Sequence, residues 1–241
     1  MSKGAKIFIG VLCVAFSGFL IWALATRPVE KTSLFETLDP LVLHEGHVET
    51  GNGSVDLLEE HVKGDLETAE LVLYEYADYQ CPGCATVNPW VNALLEEYSG
   101  RVAVVFRNYL LSYHANARSS AAAANAAGLQ GYWKEYADYL FANQSSWESL
   151  TGSVRTKYFE DALAFVSEGR ADLEKFASDL SSDAVSAKID YDHAMGTKLA
   201  LSSTPAFYYE GAEIDWYDKV QTDEDFLNYW RTFFNEHLEK K

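Results

Sequence analysis

The pattern of apolar and polar residues changes twice along the chain and divides it into three parts. Residues 7–25 form an uninterrupted run without a charge, IFIGVLCVAFSGFLIWALA. Residues 28–64 combine scattered acids with prolines and glycines and follow no sustained period. From about residue 70 onward, apolar residues recur at the spacings of strands and helices. The sequence therefore predicts an N-terminal segment over 1–27, an extracytoplasmic tether over 28–64 and a folded domain over 65–241.

The N-terminal run is long enough to cross a bilayer as a helix, since about 20 apolar residues span the hydrocarbon core. Lys3 and Lys6 precede the run, which predicts a cytoplasmic N-terminus and an extracytoplasmic location for the rest of the chain. Two interpretations are open. Residues 7–25 form a single-pass anchor in the cell membrane, or they form a signal peptide that is cleaved near Ala25, which would leave a secreted or periplasmic protein.

The folded domain begins with a strand, a helix and a second strand. Leu71–Ala77 is rich in β-forming residues, and Val102–Phe106 is a continuous apolar run. Between them, apolar residues from Val87 to Tyr98 recur at i, i+3, i+4, i+7 and i+8, the spacing of a helix with one buried face. These three elements form a βαβ unit, and its two strands are expected to be parallel.

A long helical block follows the second strand. It runs from an alanine-rich stretch at 115–127 to a last helix that Ser182 or Asp183 would cap. Ala206–Tyr209 and Ala212–Ile214 then predict a β-hairpin, and the apolar positions from Phe226 to Phe234 predict a terminal amphipathic helix. The order of these elements indicates an α/β fold.

Cys81 and Cys84 lie between the first strand and the first helix, and they are the strongest candidates for chemistry. A cysteine in the first turn of a helix faces unpaired backbone N–H groups and the positive end of the helix dipole, and both stabilise a thiolate. Cys81 is therefore the expected nucleophile, and Cys84, one turn further in, is the expected resolving thiol. Pro82 suits the first helical turn, where its missing N–H is not needed. The pattern predicts redox chemistry that needs no cofactor beyond a Cys81–Cys84 disulfide.

The composition limits which metals and partners the protein could bind. With Cys13 there are three cysteines, too few for a four-cysteine zinc site, but Cys81 and Cys84 could instead carry Cu(I). Such a site often adds methionines, and the two methionines of this sequence, Met1 and Met195, both lie far from the pair along the chain, which disfavours copper. The histidines in His44–His47 lack a third ligand nearby and favour a solvated loop over a metal site. A formal net charge of −17 argues against a nucleic-acid partner.

The residues from about Glu70 to Phe234 resemble the DsbA-like family of thioredoxin-fold thiol-disulfide oxidoreductases. Three stretches carry the resemblance: LVLYEYADYQCPGC, YHANARSSAAAANAAGLQGYWKEYADYLFANQ and SSTPAFYYEG. The resemblance implies a thioredoxin-like fold with an all-helical subdomain inserted at about 113–200. It also implies an extracytoplasmic enzyme that exchanges disulfides with cysteine-containing protein substrates, and a membrane or soluble redox partner that recharges the pair.

The resemblance also implies roles for residues outside the cysteine pair. A cis peptide bond is expected between Thr204 and Pro205, beside the redox pair, where it helps hold an extended substrate. Glu75 matches an acid that the family carries near the resolving cysteine. Burial would raise the pKa of Glu75 and suit it to proton transfer, whereas a half-exposed strand would let it face solvent. Strong oxidases of the family tend to have a histidine where Gly83 stands, so the oxidase direction is preferred only slightly.

Overall fold

The two apolar runs that flank the cysteine pair form the centre of a five-stranded sheet. The computed structural model describes residue 35 and residues 38–50 and 53–239. Its strands are β1 (His47–Thr50), β2 (Gly53–Asp56), β3 (His61–Lys63), β4 (Leu71–Ala77), β5 (Val102–Asn108), β6 (Ala206–Tyr209) and β7 (Ala212–Glu213). The sheet has the order β3-β5-β4-β6-β7, while β1 and β2 pair as a separate hairpin. As predicted, β4 and β5 are parallel; β3 and β6 join them antiparallel.

Helices cover the sheet and fill the long connection between β5 and β6. They are α1 (Pro82–Glu97), α2 (Ala117–Gly128), α3 (Trp133–Ala142), α4 (Gln144–Trp147), α5 (Gly152–Val166), α6 (Leu173–Asp179), α7 (Asp183–Lys198) and α8 (Asp223–Leu238). The helices α2 to α7 all lie between β5 and β6, where the sequence predicts a helical block. The sheet order and the helical block agree with the α/β fold that the sequence predicts.

One core lies between the sheet and the helices α1 and α8. The buried apolar face of α1, including Val87, Val91 and Leu94, packs with Leu73 of β4. Aromatic residues of α8 complete this core: Phe226, Trp230 and Phe234. A Thr222–Asp225 capping box begins α8, so the last helix has a fixed start as well as a buried face. The first turn of α1, which carries the cysteine pair, is thereby held against the sheet.

A second core joins the helical insertion to the carboxyl ends of β4 and β5. The alanine-rich helix α2 is buried along most of its length, which lets neighbouring helices approach closely. Trp133, Tyr136 and Trp147 fill the space beneath it, and Tyr79, just after β4, packs against the same cluster. The loop that leads from β4 to Cys81 therefore lies against the helical insertion.

The segment 28–64 is not a tether over the residues that the structure describes, and this prediction is wrong. Val48 of β1 and Leu57 are buried, and β3 pairs antiparallel with β5 from His61 to Lys63. The side chain of His44 is buried against Tyr191 rather than solvated. The polar residues of this segment suggested exposure because their partners lie far away in the sequence.

Four buried charges fix this segment to the sheet and to α7. Arg107 of β5 and Lys188 of α7 both bind the Glu60 carboxylate, and Lys188 also lies 2.5 Å from Asp192. Burial alone would raise the pKa of Glu60, but the charges of Lys188 and Arg107 lower it well below its usual range. Arg107 also donates to the carbonyl oxygens of Pro40 and Val42. We call these four charged residues the Arg107 cluster; it carries two positive and two negative charges.

The predicted membrane or signal helix over residues 7–25 lies outside the described residues. Within residues 38–50 and 53–239, the structure has no helix that is both long enough and apolar enough to span a membrane.

Candidate active site

The cysteine pair lies where the sequence predicts it, at the junction of β4 and α1. Cys81 is the N-cap of α1 in an extended conformation, and Pro82 is the first helical residue. Cys84 lies in the first turn of α1 and is fully buried. Both residues are thiols in this structure. The start of the helix therefore places Cys81, which is 6% exposed, at its end and holds Cys84 in the core.

The surroundings of Cys81 stabilise its thiolate. A hydrogen bond with the Cys84 thiol is the largest influence, and it lowers the pKa of Cys81 to about 6 against the opposing effect of burial. Thr204 and the backbone N–H groups of Gly83 and Cys84 add to the decrease. The two backbone N–H groups are donors that a helix N-terminus offers to an anion. Cys81 is thus charged in a substantial fraction of molecules at neutral pH.

Cys84 has the opposite properties. Burial raises the pKa of the Cys84 thiol well above its ordinary value, and the hydrogen bond with Cys81 raises it further. The proton that the pair retains therefore lies on Cys84, while Cys81 carries the negative charge. This asymmetry is what a nucleophile and a resolving thiol require.

Thr204 and Pro205 lie directly beside the pair. The peptide bond between them is cis, as the sequence resemblance implies. The Cys81 sulfur is 3.3 Å from the Thr204 carbonyl oxygen, and a Cβ atom built on Gly83 would lie 3.5 Å from Cδ of Pro205. The fold thus brings together residues that are more than 120 positions apart in the sequence.

Glu75 is buried in the middle of β4, so the alternative that it faces solvent is wrong. Burial raises its pKa, and the charge of Lys63, whose Nζ lies 4.0 Å from a Glu75 oxygen, only partly opposes this. Lys63 also donates a 2.5 Å hydrogen bond to Asn88. Asn88 lies four residues after Cys84, and both are buried in α1, so Lys63 and Glu75 lie beneath the face of α1 that carries the resolving thiol.

The sequence analysis did not identify three residues near the site that are linked by hydrogen bonds: Lys63, Asn88 and Asp138. The amide of Asn88 donates to Asp138 in α3, which also binds Lys134 near the surface. A polar residue at position 88, next to the buried Val87 on the apolar face of α1, was the available signal. Its partners could not be inferred, because Lys63 and Asp138 come from distant elements.

Asp78 anchors the loop before Cys81. Its carboxylate accepts hydrogen bonds from the backbone N–H groups of Gln80 and Leu111, and it pairs with His114 at 2.9 Å. Its carbonyl oxygen accepts from the backbone N–H of Cys81. His114 therefore holds the loop in place through Asp78.

We expect alkylation of reduced Cys81 to follow a titration with its midpoint near pH 6. The folded pKa lies below the ordinary thiol value of 9.0, so this group stabilises the folded reduced protein most above pH 9. That stabilisation is lost as the pH falls from 9 towards 6. The measurement is the rate of iodoacetamide labelling of the folded protein against pH, with mass spectrometry to assign the labelled cysteine. A midpoint above pH 8 would show that the helix start does not stabilise the thiolate.

Together, the sheet order, the Cys-x-x-Cys pair at the start of α1 and the cis proline beside it define a thioredoxin-fold protein. The sequence matches the model of a family described as thioredoxin over residues 57–229. Since this match covers well over half of the 241 residues, the chain belongs to that thioredoxin family. The predicted resemblance to DsbA-like proteins is also confirmed.

Two solved structures illustrate the shared fold. A thioredoxin-like oxidoreductase from Silicibacter pomeroyi DSS-3 is 22% identical, with a TM-score of 0.57 over 76% of this chain and 93% of that chain. The α-DsbA1 protein of Wolbachia pipientis is 20% identical, with a TM-score of 0.58 over 77% of this chain and 94% or more of that chain.

A curated relative is a membrane transporter. The Na(+)/H(+) antiporter NhaA of Herminiimonas arsenicoxydans is 28% identical over 216 residues. The match covers 88% of this chain and 31% of the antiporter, so the chain spans less than a third of that relative's length. The similarity thus concerns only a part of the antiporter.

Proposed function

We propose that the protein is a thiol-disulfide oxidoreductase that exchanges disulfides with cysteine-containing proteins. The observation that carries this proposal is the asymmetry of the pair: a Cys81 thiolate at the start of α1 beside a buried, protonated Cys84. Membership of the thioredoxin family supports it, as does the similarity to a protein described as a thioredoxin-like oxidoreductase. The redox centre is the cysteine pair itself, which alternates between a dithiol and a disulfide.

In the oxidase direction, a substrate thiolate attacks the Cys81 sulfur of the Cys81–Cys84 disulfide. The bond between the two cysteines breaks, its electron pair moves to the Cys84 sulfur, and a mixed disulfide forms between the substrate and Cys81. A second substrate thiolate then attacks the substrate sulfur of the mixed disulfide and expels the Cys81 thiolate. Two electrons pass from the substrate to the pair, so the substrate gains a disulfide and the protein leaves as a dithiol.

We slightly prefer this direction because the leaving group of its last step is stabilised. A thiol of low pKa leaves more readily, and a stabilised thiolate favours the reduced form of the pair, which makes its disulfide more oxidising. Gly83 adds only its backbone N–H to this stabilisation. In the reductase direction the Cys81 thiolate attacks the substrate disulfide, and Cys84 then attacks Cys81 to release the reduced product.

Thr204 and Pro205 are proposed to hold the substrate beside Cys81. The Thr204 carbonyl oxygen lies 3.3 Å from the Cys81 sulfur, and a Cβ atom on Gly83 would lie 3.5 Å from Cδ of Pro205, which directly precedes β6. A substrate chain extended along Thr204 would place its cysteine next to Cys81. Pro82 and Gly83, the active-site loop, are proposed to line the other side of this position.

Glu75 is proposed to transfer a proton to and from Cys84. Burial raises its pKa and so favours its protonated form, which can supply the proton that the Cys84 thiolate needs after the disulfide opens. We expect Glu75→Gln to slow the opening of the disulfide, in which Cys84 leaves, by about tenfold to a hundredfold. This is at or below the lower end of the usual contribution of general acid–base catalysis. The step is measured by rapid mixing of the oxidised protein with a one-cysteine peptide.

The matched control is Glu70→Gln, which makes the same substitution just before β4 at an exposed residue that pairs with Arg101. The control should react like the wild type. Equal rates for Glu75→Gln and the wild type across pH 5 to 9 would remove Glu75 from the proposed mechanism.

The proposed location is the cell membrane, with the domain on its extracytoplasmic side, where disulfide exchange is permitted. The apolar run at 7–25 supports membrane attachment, and so does the similarity to a part of a membrane antiporter. Cleavage near Ala25 would instead release the domain. A membrane or soluble redox partner would restore the pair after each turnover, and the acidic net charge of −17 disfavours nucleic acid as a partner.

The proposed activity is tested with a peptide that carries two cysteines. The full chain is mixed with the reduced or the oxidised peptide in a glutathione buffer, and mass spectrometry follows the peptide's disulfide. Catalysis in either direction, with a transient disulfide to Cys81, is the expected result. Stoichiometric Cu(I) binding by Cys81 and Cys84 without exchange would favour the copper alternative and contradict the proposal.

A further inference from the structure

We propose that Gln144 is a positioning residue for the redox pair: its side-chain amide reaches from the helical insertion and fixes the loop that presents the Cys81 sulfur. This inference rests on the proposed function, since a positioned nucleophile matters only if Cys81 reacts. The helical insertion would then contribute to the reactivity of the cysteine pair at the junction of β4 and α1.

Gln144 holds two backbone carbonyls on either side of Gln80. Its Nε2 atom donates to the carbonyl oxygen of Tyr79 at 2.8 Å and to that of Cys81 at 3.0 Å. A carboxamide NH2 group has two hydrogens, and both are used here. The residue is 9% exposed, so water competes little for these bonds. The two peptide groups that lead into the start of α1 are thus joined by one buried amide.

The amide can act as a fixed point because Gln144 is itself firmly held. It is the first residue of α4, and its carbonyl oxygen accepts from the backbone N–H of Glu148. Trp147, at the other end of α4, is fully buried and donates to the carbonyl oxygen of Leu140 in α3. The position of the Gln144 amide therefore follows the packing of the helical insertion.

The residue between the two carbonyls is bound to the same part of the insertion. The Gln80 side chain accepts from the backbone N–H of Asn116 at 2.6 Å and donates to the Glu148 carbonyl at 2.9 Å. Tyr79 in turn accepts a hydrogen bond on its hydroxyl from Trp133. Three consecutive loop residues are thereby anchored to the insertion, and Gln144 is the side chain that binds the backbone of two of them.

The geometry of this loop decides how well the Cys81 thiolate is stabilised. Cys81 has φ −77° and ψ 121°, and this orientation aims the backbone N–H groups of Gly83 and Cys84 at its sulfur. Without Gln144, the Cys81 carbonyl keeps its helical bond from Ala85. The loop also keeps the bonds of the Gln80 side chain, but the Tyr79 and Cys81 carbonyls lose their common donor, so the alignment of the N–H donors with the Cys81 sulfur would loosen.

The test compares Gln144→Leu with Gln130→Leu in the full chain. Gln130 also uses its side-chain amide to bind the backbone of the insertion, at both the N–H and the carbonyl of Asp172, but it does not contact the redox loop. Each substitution therefore removes a glutamine that makes two hydrogen bonds to backbone. The readout is the pKa of Cys81 from its thiolate absorbance and from its alkylation rate, with thermal unfolding measured in parallel.

We expect Gln144→Leu to raise the pKa of Cys81 by about half to one unit, which lowers the thiolate fraction at pH 6 roughly two- to fivefold. Gln130→Leu should leave that pKa unchanged, whatever its effect on unfolding. If the leucine variant does not fold, the same readout is taken on Gln144→Met, whose side chain is similar in length and has no donor. A Cys81 pKa equal to that of the wild type, or an equal shift in both variants, overturns the inference. A wild-type protein with an ordinary Cys81 pKa and no exchange would instead overturn the proposed function.

Discussion

Disulfide exchange is expected to stop in the Cys81→Ser variant, with a loss on the order of a thousandfold or more. A serine hydroxyl cannot form the mixed disulfide, and the buried Cys84, whose pKa is raised, cannot replace it as the nucleophile. Cys84→Ser should behave differently, since Cys81 can still attack while no resolving thiol follows. This variant should accumulate mixed disulfides to substrates through Cys81. Non-reducing gels and mass spectrometry of the trapped species measure both outcomes.

Cys13→Ser is the matched control, because it removes the third cysteine and leaves the pair intact. Its turnover should equal that of the wild type. Turnover by Cys81→Ser at the wild-type rate would refute the assignment of the nucleophile. Trapped species that join substrate to residue 84 in the Cys81→Ser variant would reverse the assigned order of attack.

The Arg107→Met variant is expected to lose about 3–5 kcal/mol of unfolding free energy, as is usual when one partner is removed from a buried ion pair. Arg107 is fully buried and holds Glu60 together with two backbone carbonyls of the segment before β3. Without Arg107, Lys188 is the one positive charge left in the Arg107 cluster to balance the carboxylates of Glu60 and Asp192. Denaturant unfolding followed by circular dichroism gives the free energy, and limited proteolysis before β3 reports on release of the segment.

Arg118→Met is the control for this substitution, because Arg118 pairs with Asp190 and its side chain is 51% exposed. An exposed pair should cost no more than about 1 kcal/mol. The double variant Arg107→Met with Glu60→Gln should regain part of the loss, since it removes the unpaired charge. The pKa of Glu60 is lowered in the folded wild type, so this stabilisation is lost as the pH falls below the ordinary carboxyl range. A cost below 1 kcal/mol for Arg107→Met would show that the Arg107 cluster does not hold the segment.

The central unit of the fold could be predicted from sequence because its signals are local. Leu71–Ala77 and Val102–Phe106 are apolar runs, and the helix between them has one apolar face, so period alone assigns all three elements. The parallel pairing of β4 and β5 followed from the length of the connection. The same argument placed Cys81 at the start of α1.

The segment before β4 could not be predicted because it is stabilised by distant partners. β3 has three residues, too few for a period, and it contains Lys63, whose charge indicates exposure. Lys63 can be buried because its ammonium group donates to Asn88 and lies beside the Glu75 carboxyl group. Glu60 is likewise paired with residues of β5 and α7. Long-range ion pairs of this kind leave no pattern in the local sequence.

Some residues of the candidate site could be predicted from local sequence, and others could not. Cys81 and Cys84 are recognisable from spacing and chemistry, and the resemblance located Thr204, Pro205 and Glu75. Gln144 gave no signal of its own, because a glutamine in a helical block usually faces solvent. Its contact with the redox loop depends on how the insertion packs against β4, which sequence patterns do not describe.

The most direct test of the account is a redox titration of the Cys81–Cys84 pair. The full chain is equilibrated in glutathione buffers of graded ratio, the thiols are trapped by alkylation, and mass spectrometry gives the fraction that carries the 81–84 disulfide. The account predicts one reversible two-electron transition, with a potential above that of the glutathione pool if the protein donates disulfides and below it if it reduces them. A pair that remains in one state across all buffers would contradict the central claim that these cysteines exchange disulfides.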